Sequence, residues 1–159
     1  MSRSGYTDDE DVPGQFAMWR GTVASAIRGK RGQKMLRDLL AALDAMPQKR
    51  LITSHLVDNE GEVCALGALG KHRGVDLSHC EQLIDADGYC EDSEALASRL
   101  SKAFDIATPL AQEIQYLNDE RCDFKYVGNE RRAYTPEERW EEMRKWVASK
   151  IKNPAETKP

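Results

Sequence analysis

Two stretches with apolar residues at helical spacing, separated by a short basic break, constrain the fold of this chain most strongly. Apolar residues recur every three or four positions over residues 16–27 and again over 33–46, so each stretch has one apolar face. Gly29 suits the left-handed conformation that commonly ends a helix, and Pro47 cannot continue one. The pattern therefore predicts two helices that pack against each other, because their connection is short.

Five more segments have the composition or the start of a helix. Residues 64–70 are small and apolar, which predicts a short buried helix that ends at Gly70 or Gly74. Thr135, with Glu138 three residues later, has the spacing of a capping box. Further helix starts are predicted at the cap residues Ser78 and Thr108 and at Ser93.

The remaining segments predict little β-structure. Residues 51–63 mix apolar and polar positions around the turn sequence at 58–61, which predicts a short β-hairpin. Residues 119–134 are polar with interleaved aromatics and indicate an irregular segment or short strands. The chain is therefore expected to be α+β, mainly α. Residues 15–152 should form one compact multi-helix domain that includes one short β-hairpin. Residues 1–14 are predicted to be a disordered acidic tail, and residues 153–159 a flexible one.

Charge is distributed unevenly along the sequence. The 159 residues carry a net charge of −4, yet residues 15–50 contain eight Lys or Arg against two Asp. Such asymmetry can steer an acidic partner toward one face. Alternatively, the acidic remainder of the chain neutralises this segment within the fold.

The sequence also bears on the compartment. No apolar run approaches the length of a membrane span, and no secretory signal is evident at the N-terminus. We therefore expect a soluble cytoplasmic protein with no membrane contact. The four cysteines lack the spacing of a CxxC pair and are predicted to be reduced thiols.

The basic break between the first two helices is the main candidate for a binding site. Gly29 and Gly32 allow backbone N–H groups to converge on a phosphate, but the spacing of a nucleotide-binding P-loop is absent. A helix-turn-helix contact with DNA remains open, although the second helix offers mainly Gln33, Lys34 and Arg37 outward. A solvated connection and a contact with an acidic protein are the other interpretations. The predicted partner-binding residues are Arg28, Lys30, Arg31, Lys34 and Arg37.

A second group of basic and aromatic residues lies within residues 119–134. Aromatic side chains among basic ones can stack on nucleic-acid bases, and Tyr and Arg are also enriched at protein interfaces. The simpler expectation is that Phe124, Tyr126 and Tyr134 fold onto the core. The residues predicted for a secondary contact are Lys125, Tyr126, Arg131 and Arg132.

Metal and catalytic sites find little support in the sequence. Structural zinc sites use closely spaced ligand pairs, and the only such pair is His79-Cys80. Asp85 and Asp87 match part of a calcium loop, but its first ligand position holds Leu83. The sequence pattern around a catalytic serine is also absent. We therefore predict no metal, no cofactor and no catalytic residue. The residues that could supply zinc ligands are Cys64, His72, His79, Cys80 and Cys90.

Seven short sequences spread over most of residues 16–150 carry a resemblance: Trp19-Arg20, 25–33, 41–45, Pro47, 49–52, 64–68 and 135–140. Together they resemble a group of small uncharacterised proteins from tailed bacteriophages and prophages. The resemblance implies a phage context, in which small accessory proteins bind and redirect host machinery, including defence complexes. It supplies no catalytic or binding residues.

These observations lead to one functional expectation and one alternative. We expect a phage-encoded accessory protein that acts in the bacterial cytoplasm by non-catalytic binding to an acidic surface on a host protein. The resemblance implies that the target is a host defence complex and that the protein inhibits it, as anti-CRISPR proteins do. The alternative is a nucleic-acid-binding regulatory protein that uses the basic face of residues 20–50.

Overall fold

The computed structural model describes residues 3–5 and 14–153, apart from the side chains of Gln15 and Phe16. It confirms a mainly helical α+β fold with one short antiparallel hairpin. A π-helical turn, Leu117–Arg121, continues the sixth helix. The helices and strands are α1 Gln15–Arg28, α2 Lys30–Ala45, α3 Ala65–Arg73, α4 Ser78–Glu81, α5 Ser93–Phe104, α6 Thr108–Tyr116, β1 Phe124–Val127, β2 Glu130–Ala133 and α7 Pro136–Lys150.

The core forms where α2 packs on α3 and α7, and where α6 packs on α5 and α1. Helix α3 lies at its centre, because residues 65–70 are all buried. A side chain at Gly67 would approach the Leu56 carbonyl oxygen to less than 3.0 Å, so only glycine allows this close packing. Helix α3 ends at Gly74, one of the two glycines at which the sequence predicts its end, and Gly74 is left-handed with φ 67°.

The β-hairpin lies elsewhere than the sequence predicts. In residues 51–63 the strand-like pairing is limited to one antiparallel bridge, Val57 with Val63. Ser54 has a left-handed φ of 72°, which interrupts an extended strand, and the Leu51 N–H bonds to Pro136 at the start of α7. The antiparallel strands are instead β1 and β2, with Phe124 opposite Ala133.

The four predicted helix starts can each be compared with the structure. Helix α4 begins at Ser78, but its cap position holds Leu77, so Ser78 does not cap it. Helix α5 begins at Ser93 as predicted, and the Asp92 carboxylate caps it by accepting from the Ala95 N–H.

Thr135 Oγ1 accepts from the Glu138 N–H and the Glu138 carboxylate accepts from the Thr135 N–H, which confirms the capping box of α7. Thr108, by contrast, is the first residue of α6 and does not cap it, because the cap position holds Ala107, which has no capping side chain.

The N-terminal segment also differs from the prediction where the structure describes it. Residues 3–5 lie on the fold, and the Arg3 side chain is only 1% exposed. The prediction of a disordered tail therefore does not hold for these three residues. The rest of that predicted tail, and residues 154–159, lie outside the described residues.

Candidate functional site

The basic break is a sharp junction in which a single residue, Gly29, separates α1 from α2. Gly29 is extended, with φ −69° and ψ 158°, so the expectation of a left-handed residue here is wrong. Its carbonyl oxygen already accepts from the Gln33 N–H, which starts α2 three residues earlier than the sequence predicts. A side chain at Gly32 would collide with the Ala26 carbonyl oxygen, so the two helices touch at the junction.

The five predicted partner-binding residues are all exposed in the structure. Lys30, Lys34 and Arg37 recur at spacings of four and three, which places them along one face of α2. Leu36 and Leu39 lie on the opposite face and are fully buried. The helix therefore separates a basic outer face from an apolar inner one. The five residues are Arg28, Lys30, Arg31, Lys34 and Arg37.

Gln33, which the sequence analysis places outward, is instead 6% exposed and joins three helices. Its Nε2 donates to the Ile27 carbonyl oxygen at 2.8 Å and to the Lys150 carbonyl oxygen at 2.9 Å. Its Oε1 accepts from the Lys152 N–H at 2.8 Å. The end of α7 is thereby fixed beside the α1–α2 junction.

This contact adds two lysines to the basic surface. Lys152 Nζ donates to the Arg28 carbonyl oxygen, and Arg37 Nη2 donates to the Lys152 carbonyl oxygen. We call the combined surface the basic end. Its members are Arg28, Lys30, Arg31, Lys34, Arg37, Lys150 and Lys152. No local sequence signal connects the two lysines to the break, because they lie more than a hundred residues away along the chain.

Few carboxylates oppose the basic end within the described residues. Arg31 pairs with Asp105 at 3.0 Å, and both side chains are largely exposed. Lys34 pairs with Asp38 at 2.9 Å, and Asp38 also binds Arg73. Desolvation raises the pKa of Asp38, but hydrogen bonds from Lys34 and Arg73 outweigh it and hold this pKa below its ordinary value. Exposed pairs of this kind contribute little stability.

Two other basic residues of the 15–50 segment pair with carboxylates from the acidic remainder of the chain. Arg20 on α1 pairs with the buried carboxylate of Glu113 on α6. Arg50 pairs with Glu62 at 3.1 Å. The acidic remainder of the chain therefore neutralises part of the segment, while the basic end keeps most of its charge facing solvent.

A cleft of about 490 Å³ opens beside the junction, between α1, α2 and the start of α6. Lys30, Arg31 and Gly32 from the first turn of α2 line it, as do Ala107 and Pro109 from the start of α6. Neither helix has a capping side chain or an acidic residue in its first turn. Both helix N-termini carry partial positive charge, which adds to the two basic side chains. The arrangement favours anionic groups.

The hairpin divides the four predicted secondary-contact residues between its two faces. Lys125 and Arg132 are paired across the strands, and both bind Glu138 of α7, at 2.5 and 2.8 Å. The hydrogen bond from Arg132, which has the larger effect, and the one from Lys125 hold the pKa of the Glu138 carboxyl well below its ordinary value. Tyr126 and Arg131 form the next pair and point the other way.

The outer face of the hairpin carries aromatic surface. Tyr126 is 74% exposed, and the Arg131 guanidinium stacks on the Phe124 ring at 3.3 Å. The expectation that the aromatics of this segment fold onto the core is therefore wrong for Phe124 and Tyr126. Tyr134 is half-buried, with Lys125 Nζ 5.3 Å from its ring.

The residues weighed for metal binding do not converge within the described part of the chain. Asp85 Oδ1 instead accepts from the N–H groups of Asp87 and Tyr89, and the turn closes at Gly88 with φ 80°. Cys64, Cys80, Cys90 and Cys122 are all buried free thiols. Desolvation raises the pKa of each thiol above its ordinary value, and to about 11 for Cys80.

A cluster that no local sequence pattern predicts surrounds Arg3. The Arg3 guanidinium makes two 2.7 Å hydrogen bonds to the Asp119 carboxylate, and its Nη1 lies 3.9 Å from Cys64 Sγ. Burial disfavours the charged form of Arg3, but Asp119 outweighs it and raises the pKa of Arg3. Asn118 beside it bonds to the Ala65 N–H and the Ile52 carbonyl oxygen.

The fold and the basic end define a mainly helical protein with an exposed cationic surface. No protein-family model, no curated protein and no solved structure matches this chain. Among the helices of the described residues, none combines the length and the apolar character that crossing a membrane requires.

Proposed function

We propose that this protein is a phage-encoded accessory protein that binds an acidic surface on a bacterial host protein, without catalysis, through the basic end. The observation that carries the proposal is the concentration of seven exposed or half-exposed basic side chains at the basic end, two of which line the cleft between two uncapped helix N-termini. The carboxylates that pair with these side chains in the described residues are Asp38 and Asp105. The resemblance to small phage proteins supports a host defence complex as the target class.

The chemistry of α2 favours an acidic protein surface over a DNA groove. Base reading in the major groove uses Asn, Gln and Arg side chains that reach base edges. Gln33 is unavailable because its amide is committed to Ile27, Lys150 and Lys152. With Gln33 committed, the basic end offers only lysine and arginine, which bind carboxylates on a protein as well as phosphates and, among base edges, pair mainly with guanine.

The hairpin supports a second contact with the same partner. Tyr126 and Arg131 are residue types that anchor protein interfaces, and Phe124 extends their surface. Because Glu138 fixes the inner face through Lys125 and Arg132, the outer face is presented on a supported ribbon. This support from Glu138 matters because a two-stranded hairpin on its own is only marginally stable.

The test is charge reversal of Lys30 and Arg31 to Glu. Both lie in the first turn of α2, where acidic residues are favoured by the helix dipole, so the K30E/R31E variant should fold. Affinity purification from an infected bacterial lysate should recover a host protein with the wild-type chain and lose it with the variant.

A matched control keeps the net charge change and moves its position. The K102E/R121E variant reverses two exposed residues outside the basic end that form no ion pair within the described residues. It should retain the partner. Equal recovery of the host protein by the wild type and by K30E/R31E would refute the proposal. A nuclease-sensitive partner whose binding weakens by orders of magnitude between low and moderate salt would favour the nucleic-acid alternative.

A further inference from the structure

Residues 3–5 lie in a cleft formed by three separate parts of the fold. Arg3 reaches the Asp119 carboxylate on the π-helical turn and Cys64 before α3. Ser4 Oγ donates to the Glu120 carboxylate. Gly5 packs against Ser93 at the start of α5. Three consecutive residues thus contact four residues of the fold, and Arg3 and Ser4 do so through their side chains.

The way these residues are held is that of a bound peptide. They belong to no helix or strand, and the contacts of Arg3 and Ser4 reach residues 116 positions away along the chain. Gly5 has φ 67°, and a side chain there would collide with Ser93 Oγ, so the cleft also selects the residue that follows Arg-Ser. Specificity therefore comes from a guanidinium, a hydroxyl and a glycine.

The cleft favours arginine over lysine. Asp119 Oδ1 and Oδ2 each accept one hydrogen bond from the planar guanidinium, through Nη2 and Nε. A lysine ammonium is a point charge and cannot form this two-bonded arrangement. The third nitrogen, Nη1, points to Cys64 Sγ, so all sides of the guanidinium meet the protein. The Arg3 side chain is 1% exposed as a result.

We propose that the cleft between Cys64, Ser93 and Asp119 is a binding site for an arginine-bearing peptide segment, and that residues 3–5 occupy it as a built-in ligand. An Arg-Ser-Gly segment of another chain presents the same groups and would compete for the same site. The basic end has no part in this site, so the inference is independent of the function proposed above.

The test uses the full-length R3A variant, whose cleft lacks its guanidinium, and a fluorescent peptide with the sequence of residues 1–7. R3A should bind this peptide at least tenfold more tightly than the same peptide with lysine in place of arginine, a difference of about 1.4 kcal/mol. The wild-type chain, whose own Arg3 competes, should bind it at least tenfold more weakly than R3A. The R3A/D119N double variant should lose binding.

Alkylation of Cys64 supplies a second measurement, located by mass spectrometry of the digested protein. Cys64 is fully covered in the structure, with Arg3 in contact. It should react faster in R3A than in wild type, and the arginine peptide should restore protection where the lysine peptide does not. The proposal is overturned if R3A fails to bind the arginine peptide, or if R3A and R3A/D119N bind it equally.

The R3K variant keeps the experiment informative if R3A does not fold. Lysine retains the positive charge beside Asp119 but loses the two-bonded geometry. R3K should fold, should expose Cys64 more than wild type does, and should still prefer the arginine peptide. A folded R3K that protects Cys64 as well as wild type and ignores the peptide would also overturn the proposal.

Discussion

Replacing Gln33 with alanine tests whether one buried amide fixes the end of α7 to the basic end. The side chain makes three hydrogen bonds, two donated and one accepted, all between 2.8 and 2.9 Å. A protein hydrogen bond contributes about 0.5–1.5 kcal/mol net, and water can replace the bond at the exposed Lys150. Two of the three bonds then count toward stability, so we expect Q33A to lower the free energy of unfolding by about 1–3 kcal/mol.

The loss should be visible in thermal unfolding followed by circular dichroism. For a domain of this size each kcal/mol shifts the midpoint by about 2–4 °C, so the expected shift is about 2–12 °C. The matched control is Q48A, because Gln48 is exposed and has no side-chain hydrogen bond among the described residues. Amide exchange over residues 148–152 should also rise in Q33A alone. A midpoint within 1 °C of the Q48A value, with unchanged exchange, would refute the reasoning.

Three further results follow from the packing and the charges. Gly67→Ala should destabilise the fold by about 1–3 kcal/mol in urea unfolding, because the added methyl meets the Leu56 carbonyl oxygen. Gly21→Ala on α1 should instead stabilise the fold by about 0.5–1 kcal/mol, because the added methyl meets no atom within 4 Å and alanine favours a helix over glycine. Glu138→Gln should raise amide exchange in both hairpin strands, because it removes the charge that binds Lys125 and Arg132. Since the folded-state pKa of Glu138 lies below its unfolded value, this contribution is present above about pH 4.3 and is lost as the pH falls toward the folded pKa; hairpin protection that is constant from pH 6 to pH 3 would contradict it. The four buried thiols should react with Ellman's reagent at pH 8 far more slowly in the native chain than in denaturant, because burial raises their pKa values.

Local patterns predict the helices of this chain because their signals lie within a few residues. The apolar spacing of α1 and α2 and the cap of α7 at Thr135 need no knowledge of the rest of the fold. The hairpin was harder to predict: residues 51–63 have strand composition, but Ser54 turns the chain, and the Leu51 N–H is taken by Pro136. Tertiary contacts override weak strand preference in this segment.

The candidate sites also contain residues that a local pattern predicts and residues whose roles depend on distant contacts. The five predicted basic residues are exposed because the helical period places them opposite the buried leucines. Gln33 could not be predicted as a buried clamp, since its partners at the end of α7 lie more than a hundred residues away. Arg3 sits in an acidic, glycine-containing stretch whose composition indicates a solvated tail, and only the fold places a carboxylate beside it.

Helix α7 sets a fixed distance between two surfaces of this protein. The hairpin is tied to its first turn by Glu138, and the basic end is tied to its last turn by Gln33. Fifteen residues of unbroken helix measure about 22 Å. A rigid spacer admits only a partner whose own complementary patches match that length, whereas a flexible linker would tolerate many spacings. On the proposed function, the fixed length of α7 would favour acidic partners whose patches are separated by the same distance.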